Sequence, residues 1–131
     1  MSGRDVLESR RIMKTIPLED FLKKHDLQIT IMQRQRSANS NHWLRIYRMN
    51  YHATLRSRDG ETFHFAYGNF VEGDGDTKIE AFDELMNALN RNTKHEKQPI
   101  YSTGLDRFAT AVRTIACSEL LDGSKLRAEL I

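Results

Sequence analysis

The sequence predicts an α+β domain: a three-stranded antiparallel meander with helices packed on one face, in the order α-β-β-β-α-α. Three observations predict it. Asp59-Gly60 stands between two alternating runs, a hairpin signal. Leu27, Ile29 and Ile31 alternate with Gln28, Thr30 and Met32, so residues 27–36 read as a strand whose odd positions are apolar. Ile79, Phe82, Leu85, Met86 and Leu89 then recur at helical spacing, giving an amphipathic helix that needs a sheet to cover.

The elements follow in chain order. Residues 1–13 are expected to be a flexible N-terminal extension, Met13 being a second plausible start, and residues 14–131 a single domain. Pro17 suits a first helical position, with Thr15 or Ile16 near the cap, so 17–25 is a short helix that buries Leu18, Phe21 and Leu22. Residues 37–41 form a loop by composition. A five-residue loop there pairs Ile31 with Tyr47, Ile29 with Met49 and Leu27 with Tyr51, favouring a strand over a helix for 42–50. The second strand is then long, and a bulge or break is expected near 49–51.

A three-residue turn at Arg58-Asp59-Gly60 pairs Leu55 with Phe63, Ala53 with Phe65 and Tyr51 with Tyr67, leaving Arg56/Thr62 and Thr54/His64 on the other face. Residues 68–75 read as a loop. Thr77 and Glu80 form a capping box for a helix that ends near Asn92, and 92–99 is a polar connector. Ser102 or Thr103 caps a last long helix carrying Leu105, Phe108, Val112, Ile115, Ala116 and Leu120. Gly123 stops it, and 124–130 adds a turn or two.

The chain has 131 residues, 39% hydrophobic and 29% charged, which suits one soluble globular domain with a real core. Its single cysteine, Cys117, allows no internal disulfide and reads as a structural thiol in a reducing compartment. No apolar run approaches a membrane span, so a cytoplasmic protein that does not contact the membrane is expected. The net charge of +2 hides an asymmetry: residues 27–58 contain six arginines and no acidic residue.

That window supplies the candidate site. Even-numbered strand positions, Gln28, Thr30, Arg34, Arg48, His52, Thr54, Arg56 and His64, look away from the helices. With Arg36, Trp43, Arg45 and Arg58 they make a basic, aromatic-bearing surface: the expected partner-binding set is Arg34, Arg36, Trp43, Arg45, Arg48, His52, Arg56, Arg58 and His64. Arginine offers a planar fork of donors for phosphate or carboxylate, and aromatic rings offer stacking planes. Asp74-Gly75-Asp76, near Glu72 and Glu80, lacks calcium-loop spacing and is better explained by helix capping. His42, His52, His64 and Asp59 come with no phosphate loop, nucleophile elbow or paired carboxylates. No enzyme, no metal and no cofactor is expected.

The helix–strand–strand–strand–helix order resembles the double-stranded-RNA-binding domain. Where that family has a lysine-rich start to its second helix, this chain has Gly73-Asp74-Gly75-Asp76-Thr77-Lys78, so the family's binding residues do not carry over. Residues 18–120 also resemble small phage and prophage proteins of unassigned function: a short helix, a strand bearing His42-Trp43, a hairpin closing at Tyr67-Gly68 and a helix over 79–89. These include anti-CRISPR-type inhibitors. The resemblance implies a non-enzymatic inhibitor or adaptor that binds a host protein or ribonucleoprotein defence complex. Direct DNA or RNA binding by the same face is the alternative.

Overall fold

The computed structural model describes residues 13–37, 47–102 and 113–131, with side chains described throughout these except at 35–37 and 47–49. The expected N-terminal extension, apart from Met13, and positions 42–46 lie outside the described residues. The chain order is β1 (Thr15–Pro17), α1 (Leu18–His25), β2 (Leu27–Ser37), β3 (Tyr47–Ser57), β4 (Phe63–Phe65), β5 (Glu72–Gly75), α2 (Lys78–Arg91), a π-helical turn (Asn92–Glu96), β6 (Ile100–Ser102), β7 (Thr114–Ile115), β8 (Leu120–Asp122) and α3 (Ser124–Glu129). The α+β class and the three-stranded antiparallel sheet are as the sequence predicts. That sheet runs β2-β3-β5; β4-β6-β7 form a second one, and β1 pairs in parallel with β8.

Helix α1 begins after Pro17 and ends at Asp26, whose φ of 58° is left-handed and whose N–H caps the carbonyls of Leu22 and Lys23. Strand β2 leaves directly from that cap. It pairs Leu27 with Ser57, Ile29 with Leu55 and Ile31 with Ala53, not with Tyr51, Met49 and Tyr47 as a five-residue loop would require. The connection spans 38–46, and the shift is even-numbered, so every side chain keeps its expected face. Leu27, Ala53, Leu55 and Ser57 are buried, with Ile29, Ile31 and Tyr51 half-buried against the core. Strand β3 runs unbroken through 49–51, where its length predicts an interruption.

The turn after β3 forms as predicted for one step. Arg56 bridges Thr62, the Ser57 N–H donates to Glu61 O at 2.9 Å, and Gly60 takes a φ of 95°. The hairpin then opens. Val71 enters the gap, its carbonyl accepting from Leu55 N–H at 3.3 Å and its N–H donating to Phe63 O at 2.9 Å. Ala53 therefore pairs with Gly73 and Tyr51 with Gly75, while Phe63 and Phe65 pair with Ser102 and Ile100 of β6. Tyr67, expected opposite Tyr51, is exposed and stacks on Phe65 at 5.3 Å.

The reason lies in β5, Glu72-Gly73-Asp74-Gly75, which composition presents as a loop. Its glycines turn inward beneath α2. A Cβ on Gly73 would collide with the backbone of Ala81 and Leu85, and one on Gly75 with Glu80 and Ala81. Without those Cβ atoms the helix lies directly on the strand and buries Ala81, Phe82, Leu85, Met86 and Leu89. The capping box forms: Thr77 Oγ1 accepts from Glu80 N–H at 3.1 Å, and Glu80 Oε2 accepts from Asp76 N–H at 2.9 Å.

The long last helix is overturned over 113–122; 103–112 lie outside the described residues. Ser102 ends β6, its N–H donating to the Arg113 carbonyl at 2.8 Å and its Oγ accepting from Arg113 N–H at 3.1 Å. Thr114 and Ile115 are β-branched and alternate exposed and buried, a pattern that fits a strand as well as the helical period does. Leu121 is held to α2 by Asn90, which donates to its carbonyl at 3.0 Å and accepts from its N–H at 2.8 Å. The helix after Gly123 is present as α3.

Candidate functional site

The outer face of the β2-β3-β5 sheet is built from alternation. Even residues over 28–34 of β2 and 50–56 of β3 point away from α2, and so do Glu72 and Asp74 of β5, because Gly73 and Gly75 take the inward positions. The acid-free window therefore acquires two carboxylates from a strand that lies outside it. His52 sits between them, with Nδ1 2.8 Å from Asp74 Oδ1 and Nε2 3.0 Å from Glu72 Oε2. Arg34 donates to the same Asp74 oxygen at 3.1 Å.

Arg56 is half-buried and donates from Nε to Thr54 Oγ1 at 3.1 Å, which fixes the plane of its guanidinium. Beside it a cleft of about 160 Å³ opens between β3 and the 62–72 segment, rimmed by His52, Thr54, Arg56, Thr62, Phe70 and Glu72. Phe70 is 53% exposed there, and Met32, opposite His52 in register, is 57% exposed. The surface thus offers apolar, cationic and anionic contacts within a few residues of each other.

The nine expected site residues separate into groups. Arg34, His52 and Arg56 share the outer face. Arg36 and Arg48 occupy directly opposite register positions in β2 and β3. Arg58 stands at the turn and pairs with Asp26 at 2.9 Å, tying the hairpin to the end of α1. His64 belongs to the second sheet, opposite Tyr101 with ring centroids 6.2 Å apart, and its buried Nδ1 lacks a hydrogen-bond partner among the described residues. Trp43 and Arg45 lie outside the described residues.

Beyond Gln33 and Tyr51 the sheet narrows. Strand β5 accompanies β3 only from Tyr51 to Thr54, so residues 34–37 and 47–50 continue as a two-stranded ribbon among the described residues. Glu72, Asp74, Phe70 and Met32 are the residues of this face that sequence reasoning missed. The alternation Glu-Gly-Asp-Gly is the signal that could have found the two acids: small residues at one parity and charged residues at the other mark a strand beneath a close-packed helix.

Elsewhere, burial pushes the Cys117 thiol up from its ordinary value, partly offset by hydrogen bonds from Asn92, Ile100 and Thr93, which suits an inert thiol. Among the described residues no group of three His, Cys, Asp or Glu side chains could hold a metal ion, and no helix is long and apolar enough to cross a membrane. No protein-family model, curated protein or solved structure matches the chain.

Proposed function

We propose that this chain is a small non-enzymatic binding protein, an inhibitor or adaptor that engages a protein or ribonucleoprotein complex through the outer sheet face and its projecting ribbon. The observation that carries this reading is the placement of Arg34, Arg36 and Arg48 where β2 and β3 run on past β5. This gathers arginines from a window that holds no acidic residue, residues 27–58, at one end of the sheet, which suits an anionic partner. The mixed chemistry of the adjoining face, with Phe70 and Met32 exposed among Arg34, Glu72 and Asp74, suits a protein surface better than a uniform phosphate backbone. The likeness to small phage inhibitors supplies the host defence complex as the partner.

Capture from bacterial lysate on the immobilised protein tests it, with Arg36→Glu/Arg48→Glu as the comparison. Specific retention by the wild type and its loss in the double variant is the expected result; equal retention by both removes the ribbon from the reading.

Direct DNA or RNA binding is the second reading. A two-stranded ribbon has the dimensions of the B-DNA major groove. Such binding weakens with salt at a log–log slope of about −0.7 to −0.9 per phosphate neutralised. Absence of any mobility shift with duplex or single strand at low salt rejects it.

A further inference from the structure

Among the described residues the outer edge of β2 is long and unprotected. The strand stands at the end of the β2-β3-β5 order, and among the described residues no other strand lies beside it. Exposed edges are normally blunted by proline, lysine, a bulge or an inward charge. Residues 27–33, Leu-Gln-Ile-Thr-Ile-Met-Gln, carry neither proline nor charge, and they pair with β3 without a bulge.

The backbone shows which groups that edge presents. Leu55 and Ser57 donate their N–H away from β2, to Val71 and Glu61, whereas Arg58 donates toward it, to Asp26. In an antiparallel ladder, opposite residues either bond each other or both turn outward. Ile29, the register partner of Leu55, and the other odd residues of β2 therefore aim N–H and C=O at the free edge. On the core side of these residues a groove of about 100 Å³ runs between Ile29, Ile31, Phe82, Leu126 and Leu130, with Glu129 at its rim.

We infer that this edge pairs with the same edge of a second copy of the chain, antiparallel about a two-fold axis at Thr30, joining two sheets into one of six strands. Charge and overlap together favour one register, in which the whole uncharged stretch 27–33 is paired. Centred on Thr30, the ladder sets Leu27 against Gln33, Gln28 against Met32 and Ile29 against Ile31, with no charged pair. A slide toward the ribbon sets Arg34 and Arg36 of one copy against those of the other, which like-charge repulsion disfavours. The register also matches the backbone, since it bonds odd residues to odd residues. It brings the Ile29–Ile31 rows of both copies together, so the two grooves adjoin. A two-fold contact of this kind is self-complementary and closes at the dimer. It rests on the β2 edge and is independent of the partner reading of the ribbon.

Sedimentation equilibrium of the full chain with amide exchange tests it. The expected result is a concentration-dependent dimer in which the Ile29 and Ile31 amides gain protection with loading, while the Thr30 amide, bonded to β3, is protected throughout. Thr30→Lys and Thr30→Glu each place like charges at the axis and should weaken the dimer about fivefold. An equimolar mixture of the two variants should recover a heterodimer at least as tight as wild type. Thermal midpoints equal to wild type at a dilution where all three proteins are monomeric exclude misfolding of either variant. A monomer at all loadings with fast exchange at Ile29 and Ile31, whether the edge stays free or awaits a foreign strand, overturns the inference. So does a dimer indifferent to charge at position 30.

Discussion

His52 on β3 and Asp74 on β5 are direct cross-strand partners, and their side chains meet at 2.8 Å on the face that the sequence presents as purely basic. Asp74 also accepts from Arg34, so one carboxylate serves two basic side chains from two strands. The carboxylates of β5 thus neutralise part of the arginine-rich window, reaching as far as Arg34.

Asp74→Asn tests that division. The Arg34–Asp74 pair is well exposed, and exposed pairs contribute about 0.2–1 kcal/mol, so chemical denaturation should register a loss in that range. Binding to any anionic partner should strengthen, since a repulsive charge is removed and Arg34 is released. Weaker binding to an anionic probe such as a nucleic acid duplex would place Asp74 in the recognition surface itself.

Gly73→Ala probes the contact between β5 and α2. The added methyl meets backbone, which cannot rotate away, so helix or strand must shift. Overpacking of this kind costs about 1–3 kcal/mol, read as a lower denaturation midpoint at unchanged slope. A neutral substitution would mean that α2 rides higher on the strand.

What was legible in the sequence was periodicity. Face assignment in β2 and β3 survives a six-residue register error because pleat parity depends only on odd and even. The capping box at Thr77 and Glu80 is local chemistry and reads directly. Strand β5 was hidden because glycine and acidic residues have low strand propensity; what makes it a strand is its pairing with residues 51–54 of β3, upstream of the loop, and its close packing under Ala81 and Leu85. The stretch around Ile115 was misread because a short apolar pattern can satisfy two periods, and Asn90 reaching Leu121 across 31 positions decides the outcome. The outer face was half legible: residue type and parity placed Arg34, His52 and Arg56 on it together, but the carboxylates beside them come from another strand.

Phe65→Ala and His64→Ala should differ sharply although the residues are neighbours. Phe65 is 3% exposed in the core, and its truncation should cost roughly 3–5 kcal/mol. His64 is half-buried and its Nδ1 has no hydrogen-bond partner among the described residues, so its removal sacrifices none of their hydrogen bonds at that atom and should cost less than about 1 kcal/mol. Paired urea curves check both, and a larger loss for the histidine variant would turn β4 over.

Acid sensitivity should arise in part from His25. Burial lowers its pKa below the ordinary 6.5, Lys24 and Arg113 add to the effect, and Glu119 opposes it. The ring lies 4.8 Å from Phe21, and the Arg113 guanidinium donates to the His25 carbonyl, so a cation sits beside the imidazole in the folded state. The folded protein then binds fewer protons than the unfolded chain between the two pKa values. Stability from this group is complete above 6.5, declines as pH falls through 6.5, and levels off below the folded value. Other groups titrate in the same range, so the variant carries the test. His25→Gln should lose less stability than wild type between about pH 7.5 and about pH 5.5, measured by urea denaturation at each. Parallel losses in the two proteins would mean that His25 is as easily protonated folded as unfolded, and that α1 does not shield it against Arg113.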